Sequence, residues 1–346
     1  MKVNFTYKLI VIFLILTSTS VYSQPDSGKV NWLNFNVVKS LFEKTQKPVL
    51  IYFFDNKNDS SLMMLNETFG LDEVSKYINI LFYPIKIDIY SKEEITFFDG
   101  TKYANTGTNN SVHSFVEKML GKDAALPAMI IFSKKAEGGV FQGYKDRDRI
   151  FPLLIYYAES VNETTPYDKF EKEYFKAYPI GQKQIITRLN LKWKTLPEAL
   201  ELEKQSPKKL FINLYDNYSI SATMMRLQTY NNPLNADYLN QHFYCVNLDL
   251  KTQDTLDFLG QKFINEQALH GYHQLPIALL NGKMTLPAFV IFDEALKFIG
   301  REQRYFTPEE FEVLINFVGE DAYKTLKIED FKKNFISKFS EEIKPK

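Results

Sequence analysis

The chain repeats itself. Its two tryptophans, Trp32 and Trp193, stand 161 residues apart. The same offset relates Asp55-Asn56 to Asp216-Asn217, Met63-Met64 to Met224-Met225, Phe82-Tyr83 to Phe243-Tyr244 and Asp88 to Asp249. After one deletion the offset is 160 for Gly100 and Gly260, for His113 and His273, and for Leu126-Pro127-Ala128 and Leu286-Pro287-Ala288; it returns to 161 at Phe170 and Phe331. A register held over about 140 residues marks a tandem duplication. Two copies are too few for a solenoid, so each copy is expected to be a domain. The 346 residues, 45% of them apolar, allow two domains of ordinary size.

Within the first copy, Phe35, Val38, Leu41 and Phe42 predict a helix over 33–45. After Pro48, the unbroken apolar run 49–54 suits a central strand buried on both faces. A loop over 55–60, a helix carrying Leu62, Met63 and Leu65, and a strand over 80–89 follow. A polar, helical region is expected next. Pro127 then opens the apolar strand 128–132, and Ala136-Glu137-Gly138-Gly139 turns it into a return strand over 140–143, followed by a helix over 149–159. The second copy reads alike, with strands over 210–215, 242–250, 289–292 and 296–300 and a helix over 308–317. The predicted order is α-β-α-β-α-β-β-α: an α/β fold, the first two strands parallel with a right-handed crossover and the last two an antiparallel hairpin. Amphipathic segments at 167–174 and 328–335 close the copies.

This order, with a proline before the third strand, resembles the thioredoxin fold. The second copy is similar to a periplasmic thioredoxin-like family of the Gram-negative envelope. The matching stretches are Trp193 and the helix after it, 240–249, Gly271-Tyr272-His273 and 280–284. The resemblance implies two tandem thioredoxin-like domains, each a mixed sheet flanked by helices. The expected organisation is a signal peptide at 1–23, domain 1 with its extension helix at 24–175, a connector at 176–190, domain 2 at 191–325, and an extension helix and tail at 326–346.

In that family the first strand leads into Trp-Cys-Gly-Trp-Cys. Laid on this chain, the cysteines fall at Asn58 and Ser61 in the first copy and at Ser219 and Ala222 in the second. The motif is lost in both copies. Thiol–disulfide exchange needs a thiolate, which a helix N-terminus would have stabilised, and neither hydroxyl nor amide replaces it. The resemblance also implies that Pro127 and Pro287 are cis. They serve the fold alone, or they let the backbone of Leu126 and Leu286 pair with an extended peptide, as the family does with substrates. Tyr218 would add apolar area to such a groove, which is expected at 56–61 with 125–127 or at 217–222 with 285–287, the second copy being favoured. A bulky charge at Ala222 is expected to block it without unfolding the domain.

Lys2 and Lys8, the apolar run 9–16 and small residues up to Ser23 predict a cleaved secretory signal, hence export to the periplasm. The apolar run is too short to span a bilayer. Removing the leader leaves 40 basic against 42 acidic residues, so no strong field favours nucleic acid or anionic lipid. The single cysteine, Cys245, cannot form an internal disulfide and lies in an apolar strand, where an inert buried thiol is expected. His270 and His273 form a His-x-x-His, but the first copy has Asn110 in place of the former and no third ligand is evident. Local hydrogen bonding or capping is expected of His113 and His273, with no metal and no cofactor. Ser60, Ser61, Ser219 and Ser221 lack a neighbouring base and are expected to cap helices. No dense acidic tract suggests calcium storage. The expectation is a redox-inactive binding or scaffold protein that holds a protein partner or unfolded segment. The alternative is a divergent thiol–disulfide oxidoreductase or an accessory to one.

Overall fold

The computed structural model describes residues 29–108, 110–181, 189–267 and 271–339. The expected leader, the middle of the connector, His270 and the last residues of the tail lie outside them.

The first copy comprises α1 (Phe35–Lys44), β1 (Val49–Phe54), α2 (Asp59–Met63), α3 (Asp72–Leu81), β2 (Tyr83–Asp88), β3 (Ile95–Thr96), β4 (Lys102–Tyr103), α4 (Ser114–Leu120), β5 (Ala128–Phe132), β6 (Gly138–Gln142), α5 (Arg147–Ala158) and α6 (Tyr167–Ala177). The second comprises β7 (Trp193–Lys194), α7 (Leu196–Gln205), β8 (Lys209–Tyr215), α8 (Ile220–Met224), α9 (Pro233–His242), β9 (Phe243–Asp249), β10 (Leu256–Phe258), β11 (Gln261–Phe263), α10 (Gln274–Leu279), β12 (Ala288–Phe292), β13 (Phe298–Glu302), α11 (Pro308–Gly319) and α12 (Ile328–Asn334).

The main sheets run β2-β1-β5-β6 and β13-β12-β8-β9-β7. In each, the first two long strands are parallel and the later hairpin is antiparallel, as expected. Trp193 and Lys194 add an edge strand beside β9; Leu33 makes the matching single bridge to Ile85 in the first copy.

The structure corrects three expectations. The strand expected from residue 80 begins at Tyr83, because 72–81 is helical with Val74, Ser75 and Ile78 buried. The run Ile78 to Phe82 is apolar enough to suit either period, so sequence alone did not separate them. The single helix expected after the first loop is interrupted in both copies by a π-helical turn, Met64–Thr68 and Met225–Thr229. Thr68 and Thr229 there donate to the carbonyls of Lys145 and Phe306, each at 2.8 Å, and tie the turn to the loop before α5 or α11. The region expected to be helical before each proline is a small hairpin, β3–β4 or β10–β11, followed by a short helix. Gly100 and Gly260 turn these hairpins at φ +87° and +78°, which accounts for glycine at this repeat position.

Alternation along the central strands divides the core. Val49, Ile51 and Phe53 face α1 and α4 in a cluster confined to the first copy; Leu210, Ile212 and Leu214 do the same in the second. The opposite faces, with Leu50, Tyr52 and Phe211, belong to one continuous cluster running through both copies. Phe170 of α6, fully buried, meets Tyr305 of the second copy edge to face at 5.4 Å.

Candidate functional site

Phe53 pairs with Ala128 and Leu214 with Ala288 across antiparallel strands. The loop after the first central strand and the Leu-Pro turn therefore emerge at the same end of each sheet. Both Leu126-Pro127 and Leu286-Pro287 bonds are cis, as the resemblance implied. Pro127 and Pro287 are buried, and Leu126 and Leu286 are half-buried. A glutamine braces each turn: Gln142 accepts from the Ala125 amide at 3.1 Å, and Gln303 donates to the Lys283 and Thr285 carbonyls.

The loop frames also match. Asp55 accepts from the Lys57 amide and Asp216 from the Tyr218 amide, each at 2.8 Å. Asn58 caps α2 by accepting from Ser61 N at 2.9 Å, and Ser219 caps α8 by accepting from Ala222 N at 3.2 Å. The Ser61 side chain is turned inward and fully buried, and the backbone carbonyl of Ser61 accepts from the Tyr52 hydroxyl at 2.8 Å. Ala222 is only 3% exposed. The expectation that a bulky charge at Ala222 would leave the domain folded is thereby corrected, since an arginine there would enter packed core.

Here the copies diverge. Glu159, the residue capping the C-terminal end of α5, extends from the first copy onto the N-terminus of α8. One carboxylate oxygen accepts from Ile220 N at 3.0 Å and from the Tyr77 hydroxyl at 2.9 Å. The other accepts from Ser219 Oγ at 2.8 Å, Ser221 N at 2.9 Å and Ser221 Oγ. The first-turn amides of a helix lack intrahelical acceptors and carry partial positive charge, so an anion is favoured there. The position where the resemblance would put a thiolate thus holds a carboxylate from the other half of the chain. Burial and then the Glu159 carboxylate push the Tyr77 hydroxyl well above the ordinary tyrosine range, so it remains a donor. Sequence reading missed Glu159. The sequence marks the position, since Glu159 and Glu320 share the 161 register at the ends of equivalent helices, but not the contact that only Glu159 makes.

A cleft of about 210 Å³ opens beside this contact, lined by Leu81, Lys134 and Ser160 of the first copy and Tyr218, Tyr272 and Leu286 of the second. Lys251 pairs with Asp216 at 3.0 Å and lies 5.0 Å from the Tyr218 ring and 5.6 Å from that of Tyr272. Tyr218 is 77% exposed. In the first copy a lysine, Lys57, stands at the Tyr218 position and a tyrosine, Tyr90, at that of Lys251. In the first-copy loop Asn56 donates to the Asp88 carboxylate of β2 at 3.0 Å, and among the described residues no carboxylate from another element accepts from the first-turn amides of α2; Asn56, Lys57 and Asp59 are exposed, as is Ala125 beside Leu126.

The remaining candidates are structural. His113 and His273 are buried caps, their Nδ1 atoms accepting from Phe115 N and Leu275 N at 3.1 Å. Their Nε2 atoms contact the carbonyls of Glu93 and Asp254 at 2.9 and 3.0 Å. Cys245 lies on β9 at 2% exposure, and burial pushes its thiol up, away from thiolate character. Among the described residues, no cluster of three or more His, Cys, Asp or Glu side chains is arranged to hold a metal ion. No helix there is long and apolar enough to cross a membrane.

Solved structures similar to parts of this chain are thioredoxin-fold proteins. The oxidoreductase DsbH is 22% identical, covering 42% of this chain and 94% of its own, with a TM-score of 0.29. A thioredoxin from Thermus thermophilus is 17% identical, covering 37% of this chain and 87% of its own, with a TM-score of 0.29. A thioredoxin-fold protein from Helicobacter pylori is 17% identical, covering 46% of this chain and 91% of its own, again at 0.29. At these scores the architecture rests on the strand order and turn geometry described above. No family model matches the chain, and no curated protein matches it in sequence.

Proposed function

We propose that this chain is a redox-inactive thioredoxin-fold binding protein, a pseudoenzyme of the cell envelope exported to the periplasm. Its two units, at 24–175 and 191–325, would serve as a scaffold holding a protein partner or unfolded segment. The observation that carries the reading is the cysteine count. The one thiol in the chain is buried in β9, while four other side chains stand where exchange would need sulfur. Glu159, seated on α8, adds to this, since it fills the anion position of the second loop from within. The first-copy turn is therefore the open one. An extended segment would pair with the backbone at Leu126-Pro127 as an added strand. Leu286-Pro287 and Tyr218 border the cleft between the copies and would contact a partner more peripherally.

Two measurements test this. Insulin reduction in the presence of a thiol reductant should not exceed that of a Cys245→Ser control; turnover above it would restore the oxidoreductase alternative. A reduced, carboxymethylated, permanently unfolded polypeptide should bind, and Ala125→Arg at the exposed flank of the first turn should weaken it about tenfold, ~1.4 kcal/mol. Thr285→Arg should have a smaller effect. Equal binding by parent and Ala125→Arg would remove the first turn as the site.

A further inference from the structure

The contact inside the chain joins unlike faces. One is the end of α5 with Glu159, Tyr77 and the adjoining α6; the other is the loop of the second copy at the start of α8. Because the chain is a duplication, the second copy owns a face equivalent to the first of these. Glu320 caps α11 as Glu159 caps α5, its amide bonded to Asn316 and Val318 carbonyls where that of Glu159 bonds Ile155 and Tyr157. Asp321 repeats the left-handed backbone of Ser160 at φ +60° against +57°. Tyr238 stands in α9 where Tyr77 stands in α3.

At this second face no loop of another unit is seated among the described residues. Glu320 is exposed. The Tyr238 hydroxyl is enclosed without a hydrogen-bond partner among the described residues, whereas that of Tyr77 donates to Glu159. Burial and then the Glu320 charge raise Tyr238 to about 12, with no hydrogen bond between the two groups. α6 buries Phe170, Glu173, Tyr174 and Ala177, but its counterpart α12 buries nothing, and Leu326 and Ile336 flank it at 50% and 77% exposure.

We infer that the Glu320 face docks the active-loop end of a thioredoxin-fold domain belonging to another protein. The occupant is read from the equivalent face, which in this molecule is covered by such a loop, with a carboxylate on the helix N-terminus and apolar residues around it. The first-copy loop of a second molecule is a poor match. Asp59 stands at the position of Ile220, so two carboxylates would meet on the first turn of one helix. The matching partner has an uncharged first turn after its first central strand. The face is separate from the cis-proline turns, and the inference stands or falls independently of them.

The test titrates the full chain, without its leader, against a single-domain thioredoxin whose two active-site cysteines are replaced by serine, so that no mixed disulfide forms. Calorimetry should show saturable one-to-one binding, weakened at least tenfold by Glu320→Lys and by Leu326→Arg. Glu43→Lys, an exposed reversal on α1, should leave it unchanged, and thermal melts should show all variants folded. Absence of saturable binding, or binding indifferent to Glu320→Lys, overturns the inference. Self-association of the parent chain in sedimentation that is lost in Glu320→Lys would assign the face to a second copy, and would equally overturn the partner named.

Discussion

Glu159 accepts hydrogen bonds from three residues of the second copy and from Tyr77, so truncating it strips donors at a helix N-terminus of their acceptor. Charge-assisted bonds of this kind contribute about 2 kcal/mol each, and Glu159→Ala is expected to lower unfolding stability by at least that much. The exposed Glu320→Ala supplies the control and should stay within about 0.5 kcal/mol of the parent. Chemical denaturation of both variants decides it; equal midpoints would mean that the Glu159 contact contributes nothing. Tyr230 offers the reverse case. Its buried hydroxyl has no partner among the described residues, and the first copy carries Phe69 at the same position. Tyr230→Phe should therefore be neutral or stabilising at pH 7, read from the same curves. None of this was legible from residue types: a glutamate after an apolar helix looks like any solvated cap until the fold brings a second helix end to it.

At the scale of elements, sequence that repeats in register takes different environments. α6 and α12 hold equivalent places in the repeat, with Phe170 and Phe331 in register. Phe170 is fully buried against both copies, whereas Phe331 packs on Phe317 at one side of an otherwise exposed helix. Phe170→Ala should cost roughly 3 kcal/mol or more, while Phe331→Ala should cost distinctly less. Thermal melts of the two variants measure the difference, and equal losses would contradict the unequal burial. The amphipathic pattern foretold both helices but not which would be covered, because period reports that a face is apolar and not what meets it. The π-helical turns also escaped prediction. Their Thr68 and Thr229 hydroxyls bond carbonyls 77 residues away, a tertiary partner with no local sequence mark.

For the whole molecule, the shared cluster makes the aromatic content felt in its pH response. Burial pushes Tyr230 and Tyr305 well above the ordinary tyrosine range. Their stabilising contribution is complete below the unfolded-state value near 10, and is lost above it because the unfolded chain releases protons that the folded chain keeps. Stability should thus be insensitive to tyrosine ionisation below pH ~9 and fall above pH ~10 by up to about 1.4 kcal/mol per pH unit for each such tyrosine. Denaturation midpoints from pH 7 to 11 test this, and Tyr230→Phe should flatten the fall; an identical slope would exclude Tyr230 as a contributor. The resemblance implied the cis-proline turns; the sequence by itself determined the internal repeat, the order of the main strands and the absence of a cysteine pair. These follow from register, apolar period and residue identity, all of which are local or repeated. Only the tertiary structure decided that the two copies share a core and that the first lays a carboxylate on the loop of the second. That contact joins Glu159 to a helix end some 60 residues away, and it exists because two folded surfaces happen to be complementary, a property no single stretch of chain possesses.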